Sequence, residues 1–350
     1  MSPPVTRPDL NYCKANDLVI DIGGSQLAQS LGSMLTTRML NPKKQCVLPS
    51  ALLSDDNGSS LWRQINRLPL YYQTSDEILL LEVHGDEIAD LIEPGTMIMD
   101  LGCGETRKVR PLLNSLERAA KRVDYYGLDL SLASLQADMR SLASEFTHVR
   151  CRGLWGTFDD ALRWLTQLKS HNSPRRPRWL LSLGSILGND FPAPATAHLA
   201  RWASTMGDDD RMLVGMDATT DKQRIWESYH DPAGLFERFM RGGLEHANRV
   251  MGHDWYWPQD WEVAGVWSKE YCMHRFVFRA LVDVKCEPAG VDFPAGHEID
   301  CYEAFKFSPT EMGPMFQAAG LRQQTVFKAP GSSAIYEYLL SKPSSQRLVD

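Results

Sequence analysis

Asp100-Leu101-Gly102-Cys103-Gly104 is the stretch on which the fold turns. It follows the apolar run Thr96-Met97-Ile98-Met99 and precedes Val109, Leu112, Leu113 and Leu116, which share one face of a helix. A buried strand that passes through two glycines into a helix opens a βαβ unit. Glycine permits a turn that a Cβ would obstruct, and it lets a ligand approach the main chain closely. Further along the chain, Tyr125-Tyr126-Gly127-Leu128-Asp129 reads as a second buried strand, with a helix from Leu132. Val149 to Leu154 reads as a third strand, Trp179 to Leu183 as a fourth and Arg211 to Met216 as a fifth, with a helix from His198 to Ala203 between the last two. Val326-Phe327 and Ala334 to Leu340 read as closing strands. Alternating strands and helices predict an α/β fold with a doubly wound, largely parallel sheet.

Upstream, Leu61, Trp62, Ile65 and Leu68 predict a helix ending at Pro69, and Ile78 to Ile92 predicts another before the breaker Pro94-Gly95. Asp217 to Ile299 departs from the βα rhythm and is rich in Trp, Tyr and His, which marks an insertion carrying substrate specificity. The expected organisation is an N-terminal extension over 1–47, partly ordered. A substrate-binding domain follows from 48–76 plus 215–302, and a cofactor domain from 77–214 plus 303–350.

The net charge of −7 disfavours a phosphate-backbone partner, and the one dense basic run is Arg175, Arg176 and Arg178. Seven scattered cysteines without a Cys-x-x-Cys pair fit reduced thiols, neither a disulfide framework nor a zinc site. No apolar run approaches a membrane span and no secretory signal is visible, so the cytoplasm is the expected compartment. A small-molecule substrate is expected, with neither nucleic acid nor membrane as partner and a homodimer left open.

Gly102-Cys103-Gly104-Glu105-Thr106-Arg107 lacks the third glycine of a dinucleotide fingerprint. Asp129, about 25 residues on at the end of the second strand, is placed to accept from both hydroxyls of a ribose. A Gly-rich first turn with an acidic second-strand end implies a nucleoside cofactor. The missing glycine tilts the choice from a nicotinamide dinucleotide to S-adenosylmethionine (SAM). Taken singly, the glycines are a tight turn and Asp129 a solvated strand end; order and spacing together favour the site.

At these residues the chain resembles the histidine-specific (ergothioneine-pathway) methyltransferases, especially the fungal 4-dimethylallyltryptophan N-methyltransferases. The resemblance runs through Leu68-Pro69-Leu70-Tyr71-Tyr72-Gln73-Thr74, Leu101 to Arg110, Arg122 to Ser131 and Gly156-Thr157-Phe158-Asp159-Asp160. It continues through Ser182 to Asn189, Tyr229-His230-Asp231-Pro232-Ala233-Gly234 and Glu303-Ala304-Phe305-Lys306-Phe307. It implies a Rossmann-like class I methyltransferase sheet with an inserted substrate-binding domain, and SAM as cofactor. Gly102 and Lys108 would contact the methionine end, Asp129 the ribose, Thr157 and Phe158 the adenine, and Gly184 the amino group. Tyr71, Asn189 and Tyr229 would line the amino-acid substrate's pocket. No metal and no strong catalytic base are called for.

Two departures shape the expected substrate. Ser54 stands where the family has Tyr, which leaves one cofactor contact open. Tyr302 and Ala304 stand where histidine-methylating members place Glu and Ser, so an imidazole would lose its polar readers and an indole-bearing amino acid becomes the expected substrate. An N-methyltransferase of another amino acid or amine (histidine or tyrosine betaine type) and a catalytically silent cofactor-binding protein are the alternatives. Tyr72, His230, His246 and His274 are expected as packing residues and Glu303 as a surface carboxylate. The insertion's Trp255, Tyr256, Trp257, Trp261 and Trp267 are divided between pocket lining and ordinary placement.

Overall fold

The computed structural model describes residues 18–35, 37, 40, 46–169, 175–287 and 290–343. Residues 1–17 and most of 36–45, within the expected extension, lie outside the described residues.

The central sheet has eight strands: β1 (Val19–Asp21), β2 (Met97–Leu101), β3 (Val123–Asp129), β4 (Val149–Trp155), β5 (Arg178–Ser182), β6 (Arg211–Asp217), β12 (Arg322–Lys328) and β13 (Ile335–Ser341). Their order is β1-β4-β3-β2-β5-β6-β13-β12. Pairs from β1 to β6 are parallel, whereas β13 runs antiparallel to β6 and β12 antiparallel to β13. The winding reverses at β2, whose neighbours are β3 and β5. A crevice therefore opens beyond the C-terminal ends of β2 and β5, where doubly wound sheets bind ligands. All five residues of β2 are buried, as a strand covered on both faces requires.

One face is covered by α3 (Tyr72–Asp90), α4 (Arg110–Arg118) and α5 (Leu132–Glu145), through Leu80, Leu112 and Met139. The other face carries α6 (Phe158–Lys169), α7 (Pro192–Thr205) and α10 (Pro309–Ala318), through Leu165, Trp202 and Phe316. α3 begins at Tyr72, six residues before the expected Ile78, because Gln73, Thr74 and Glu77 are buried polar residues that interrupt the apolar pattern. β1 lies within the expected N-terminal extension and adds an edge strand, Val19 opposite Gly153.

A second core joins α1 (Leu27–Met34), α2 (Asp56–Ile65), α8 (Lys222–Tyr229) and α9 (Leu235–Met251) to an antiparallel sheet. That sheet has β7 (Trp261–Ser268) and β11 (Glu298–Phe305) flanking β8 (Met273–Ala280); the small pair β9 (Val284–Cys286) and β10 (Val291–Phe293) packs alongside. Asp55 caps α2 by accepting from Gly58 N–H at 2.7 Å, and its other oxygen receives Arg249 of α9. Val47 bridges Asp300, which ties the segment before α2 to β11.

Candidate active site

The turn after β2 places Gly102 at φ +67° and Gly104 at φ +50°, the left-handed region that glycine enters without strain. A Cβ on Gly102 would lie 3.2 Å from Ile186 Cδ1 and 3.6 Å from Phe158 Cζ, so Ile186 and Phe158 face the bare backbone of this turn. Asp129 at the end of β3 closes the turn. Its Oδ2 accepts from Gly104 N–H at 2.8 Å, and its Oδ1 accepts from Leu130 N–H at 2.7 Å and Ser131 N–H at 3.1 Å. Burial raises the Asp129 pKa, and these three N–H donors oppose the rise. Thr157 immediately precedes α6, its N–H and hydroxyl donating to Asp160 Oδ2 at 2.8 and 2.6 Å. Phe158 is half-buried, edge-on to His198 at 5.3 Å.

Across the cleft, Gly184 follows β5 at φ +75°. A Cβ there would collide with Lys108 Nζ, which lies over this glycine. Gly184 N–H donates to Glu77 Oε1 at 2.5 Å, and Glu77 Oε2 faces Lys108 Nζ at 3.5 Å. Beneath them Asp100 accepts from Tyr125 OH at 2.8 Å, and burial pushes its pKa up to about 7. These features suit SAM. There is a strand-end carboxylate of the kind that can receive a ribose, a cradle that Cβ atoms would fill, and a cation beside a carboxylate, a pair that matches the two charges of an amino acid.

The third part of the site is aromatic. Tyr71 is buried, with its ring 6.1 Å from Tyr229, 5.6 Å from Phe236 and 5.8 Å from Trp62; Tyr302 lies 6.3 Å from Tyr229 and 6.4 Å from Trp62. Burial raises the pKa of Tyr71, Tyr229 and Tyr302, which keeps them as neutral phenols. The Tyr229 hydroxyl accepts from Lys306 Nζ and Gln73 Nε2, both at 3.1 Å. Lys306 also donates to Asp217 Oδ2 at 2.6 Å, where Tyr72 OH donates at 2.7 Å. Burial alone would raise the Asp217 pKa and lower that of Lys306; their mutual attraction outweighs it, leaving Asp217 below and Lys306 above their ordinary values. Behind Tyr229, His274 stacks at 4.6 Å and meets His230, Nε2 to Nε2, at 3.0 Å. Burial, with His230 and Lys306 beside it, lowers the His274 pKa to about 3, so it is neutral.

The structure thus gathers Gly102, Asp129 and Phe158 at one end, with Thr157 preceding Phe158, and Lys108 with Gly184 at the other. Tyr71 and Tyr229 meet in the aromatic cluster. Asn189 is exposed at the end of the turn Ile186–Asn189, outside that cluster. Glu303, expected at the surface, is half-buried, and burial with Asp300 and Asp190 nearby pushes its pKa up to about 7. Tyr72, expected as packing, is buried and also serves the Asp217 network. Trp255, Tyr256 and Trp261 pack in the second core around Phe293 and Phe278, whereas Trp257 is exposed. Sequence reading missed Gln73, Glu77, Asp217, Lys306 and Glu337. Two signals were available: charge inside the apolar run Phe305-Lys306-Phe307, and a strand-end acid at Asp217 analogous to Asp129.

Among the described residues no cluster of His, Cys, Asp and Glu has the arrangement to hold a metal ion, and no helix is long and apolar enough to cross a membrane.

The profile of the family described as "Histidine-specific methyltransferase, SAM-dependent" matches residues 27–342. The "Ergothioneine biosynthesis protein 1" of Neurospora crassa is 34% identical over 88% of this chain, which spans only 35% of that protein's length. The "N-methyltransferase imqF" of Aspergillus flavus is 30% identical over 91% of this chain and 87% of its own. The "4-dimethylallyltryptophan N-methyltransferase easF" of Claviceps fusiformis is 26% identical over 94% of this chain and 97% of its own.

Proposed function

The chain belongs to the histidine-specific, SAM-dependent methyltransferase family, and we propose that it N-methylates the α-amine of an indole-bearing amino acid, 4-dimethylallyltryptophan or a near relative, in fungal secondary metabolism. The observation that carries this reading is the wall formed by Trp62, Tyr71, Tyr229, Phe236 and Tyr302. Ala304 on the same strand as Tyr302 carries no polar group. An imidazole buried there unpaired would cost about 1–3 kcal/mol, whereas an indole with a prenyl group would gain roughly 25 cal/mol per Å² of apolar area buried. The names of the Aspergillus flavus and Claviceps fusiformis relatives agree with an amine acceptor, and that of the latter with an indole.

The bound cofactor supplies a methyl group already activated on a sulfonium. The protein's part is alignment and protonation control. Asp129, with Gly104 locked to it, would hold the ribose, and Phe158 would border the adenine. Tyr229 already accepts from Lys306 and Gln73, so its own proton is free to point into the pocket, where a substrate carboxylate is the fitting acceptor. Tyr71 and the surrounding rings exclude water, which disfavours the substrate's ammonium form and favours the lone pair needed for displacement. Asn189, at the rim, would meet the polar end of the substrate. The elements 48–76 and 215–302 would act as the substrate-binding part and the rest as the cofactor part.

The test is a panel of histidine, tyrosine, tryptophan and prenylated tryptophan with methyl-labelled SAM and mass analysis of the products. The indole reading expects prenylated tryptophan to be methylated with the highest kcat/KM and histidine with the lowest. Efficient methylation of histidine would overturn the substrate assignment while leaving the methyltransferase family intact.

A further inference from the structure

Three carboxyl groups crowd around a single ammonium below the Gly184 turn. Glu77 and Asp100 are each 2% exposed and Glu337 is fully buried. They come from α3, β2 and β13; all three lie near Lys108, and Glu77 and Glu337 meet at Gly215 of β6. Gly215 stands opposite Glu337 in the sheet register, and its missing side chain makes the room. A Cβ there would lie 2.5 Å from Glu77 Oε1 and 2.7 Å from Glu337 Oε1. Neither Glu337 oxygen meets a hydrogen-bond donor. Two adjoining carboxyls without a donor between them cannot both be ionised, so one proton must be shared. Glu77 has both nearby donors, Gly184 N–H and Lys108, and Glu337 has neither, so the proton belongs on Glu337. Burial first, and then the neighbouring Glu77, raise the Glu337 pKa in keeping with this. Glu77 is then the carboxylate, holding Gly184 N–H on one oxygen and facing Lys108 with the other, which has no hydrogen bond of its own.

We propose that Glu77, backed by the proton-bearing Glu337, is a positioning residue for the amino-acid end of the cofactor: it fixes Lys108 and the Gly184 backbone in the arrangement that receives that zwitterion. This rests on SAM as cofactor and is independent of the substrate reading. The Lys108–Glu77 separation of 3.5 Å is too long for a committed hydrogen bond, so the ammonium retains capacity for a carboxylate. Glu77 confines that ammonium over Gly184, and its second charge lets the site accept a zwitterion without a net charge mismatch.

The experiment compares two probes by calorimetry on the full chain: S-adenosylhomocysteine, which has the amino-acid tail, and methylthioadenosine, which lacks it. Glu77→Gln keeps an oxygen for Gly184 N–H but removes the charge. It should weaken S-adenosylhomocysteine roughly tenfold or more and leave methylthioadenosine within about twofold. Glu337→Leu removes the shared proton and should weaken S-adenosylhomocysteine selectively, whereas Glu337→Gln, which puts an amide donor in its place, should recover most of that loss. Should Glu77→Gln fail to fold, Lys108→Met reads the same pair from the other side and should show the same tail-selective loss. Equal weakening of both probes, or of neither, would overturn the proposal. A loss in Glu337→Gln as large as in Glu337→Leu would overturn the shared proton.

Discussion

Replacing Asp129 tests the link between the glycine turn and the nucleoside site. Its carboxylate accepts three backbone N–H groups, from Gly104, Leu130 and Ser131, at 2.7–3.1 Å. Asp129→Ala strands all three. Two of them lie on the short path from β3 into α5, and the third is the pin that holds the turn after β2. The side chain is half-buried, so water reaches part of what is stranded. Each hydrogen bond to a charged group contributes about 1.5–3 kcal/mol, and one that water replaces costs less than that. A drop in folding stability of about 2–4 kcal/mol is expected. Cofactor affinity should fall by a further 1.5–3 kcal/mol, roughly 10- to 150-fold, for the ribose contact and the loosened turn. Asp129→Asn separates the two effects. The amide oxygen can still serve Leu130 and Ser131, but its NH2 opposes Gly104 N–H and the charge is gone, so most of the affinity should be lost with less of the stability. Calorimetry with S-adenosylhomocysteine and chemical unfolding of the same samples give both numbers. If Asp129→Ala binds S-adenosylhomocysteine within about twofold of the parent, Asp129 is not part of the cofactor site.

Asp100 gives a pH prediction. Its pKa is raised from 3.8 to about 7, so its ionisation is resisted in the folded state. The stability tied to this group is complete below about pH 4 and is lost as pH rises through 7. Asp100→Asn keeps an acceptor for Tyr125 and should gain on the parent as pH rises from about 4 to 7, then level off. Between about pH 4 and 7 only the unfolded parent ionises readily, so the gain reaches on the order of 4 kcal/mol by pH 7; denaturant titrations showing a constant gap across that window would refute it. Lys306→Met should cost about 3–5 kcal/mol by leaving Asp217 charged and buried, and Asp217→Asn in the same chain should restore most of it. A double variant no more stable than Lys306→Met would show that the ion pair is not the source of the loss.

Some features of the chain are decided within short stretches of it. A buried strand, two glycines and a helix require the turn at Gly102 and Gly104, because only residues without a Cβ take those φ values freely while a ligand lies against the backbone. The alternation of strands and helices then commits the chain to a doubly wound sheet, and the strand-end position of Asp129 follows from the length of one βα unit. Tyr71, Lys108, Gly184 and Tyr229 could be proposed as site residues from the sequence because they sit inside long, unusual motifs. Glu77, Glu337, Asp217 and Gln73 were not legible as site residues, because a lone polar residue in a helix or strand is ordinarily solvated. Their burial arises only when α3 packs across β6 and β13, with the Gly215 gap to accept two carboxyls, and when β11 carries Lys306 to Asp217. Asn189 shows the converse: a motif residue that the fold leaves exposed. Charges separated by up to 260 positions in the chain interact strongly only after folding removes the water between them, so tertiary structure alone decides which carboxyl keeps its proton and which ammonium is free to bind.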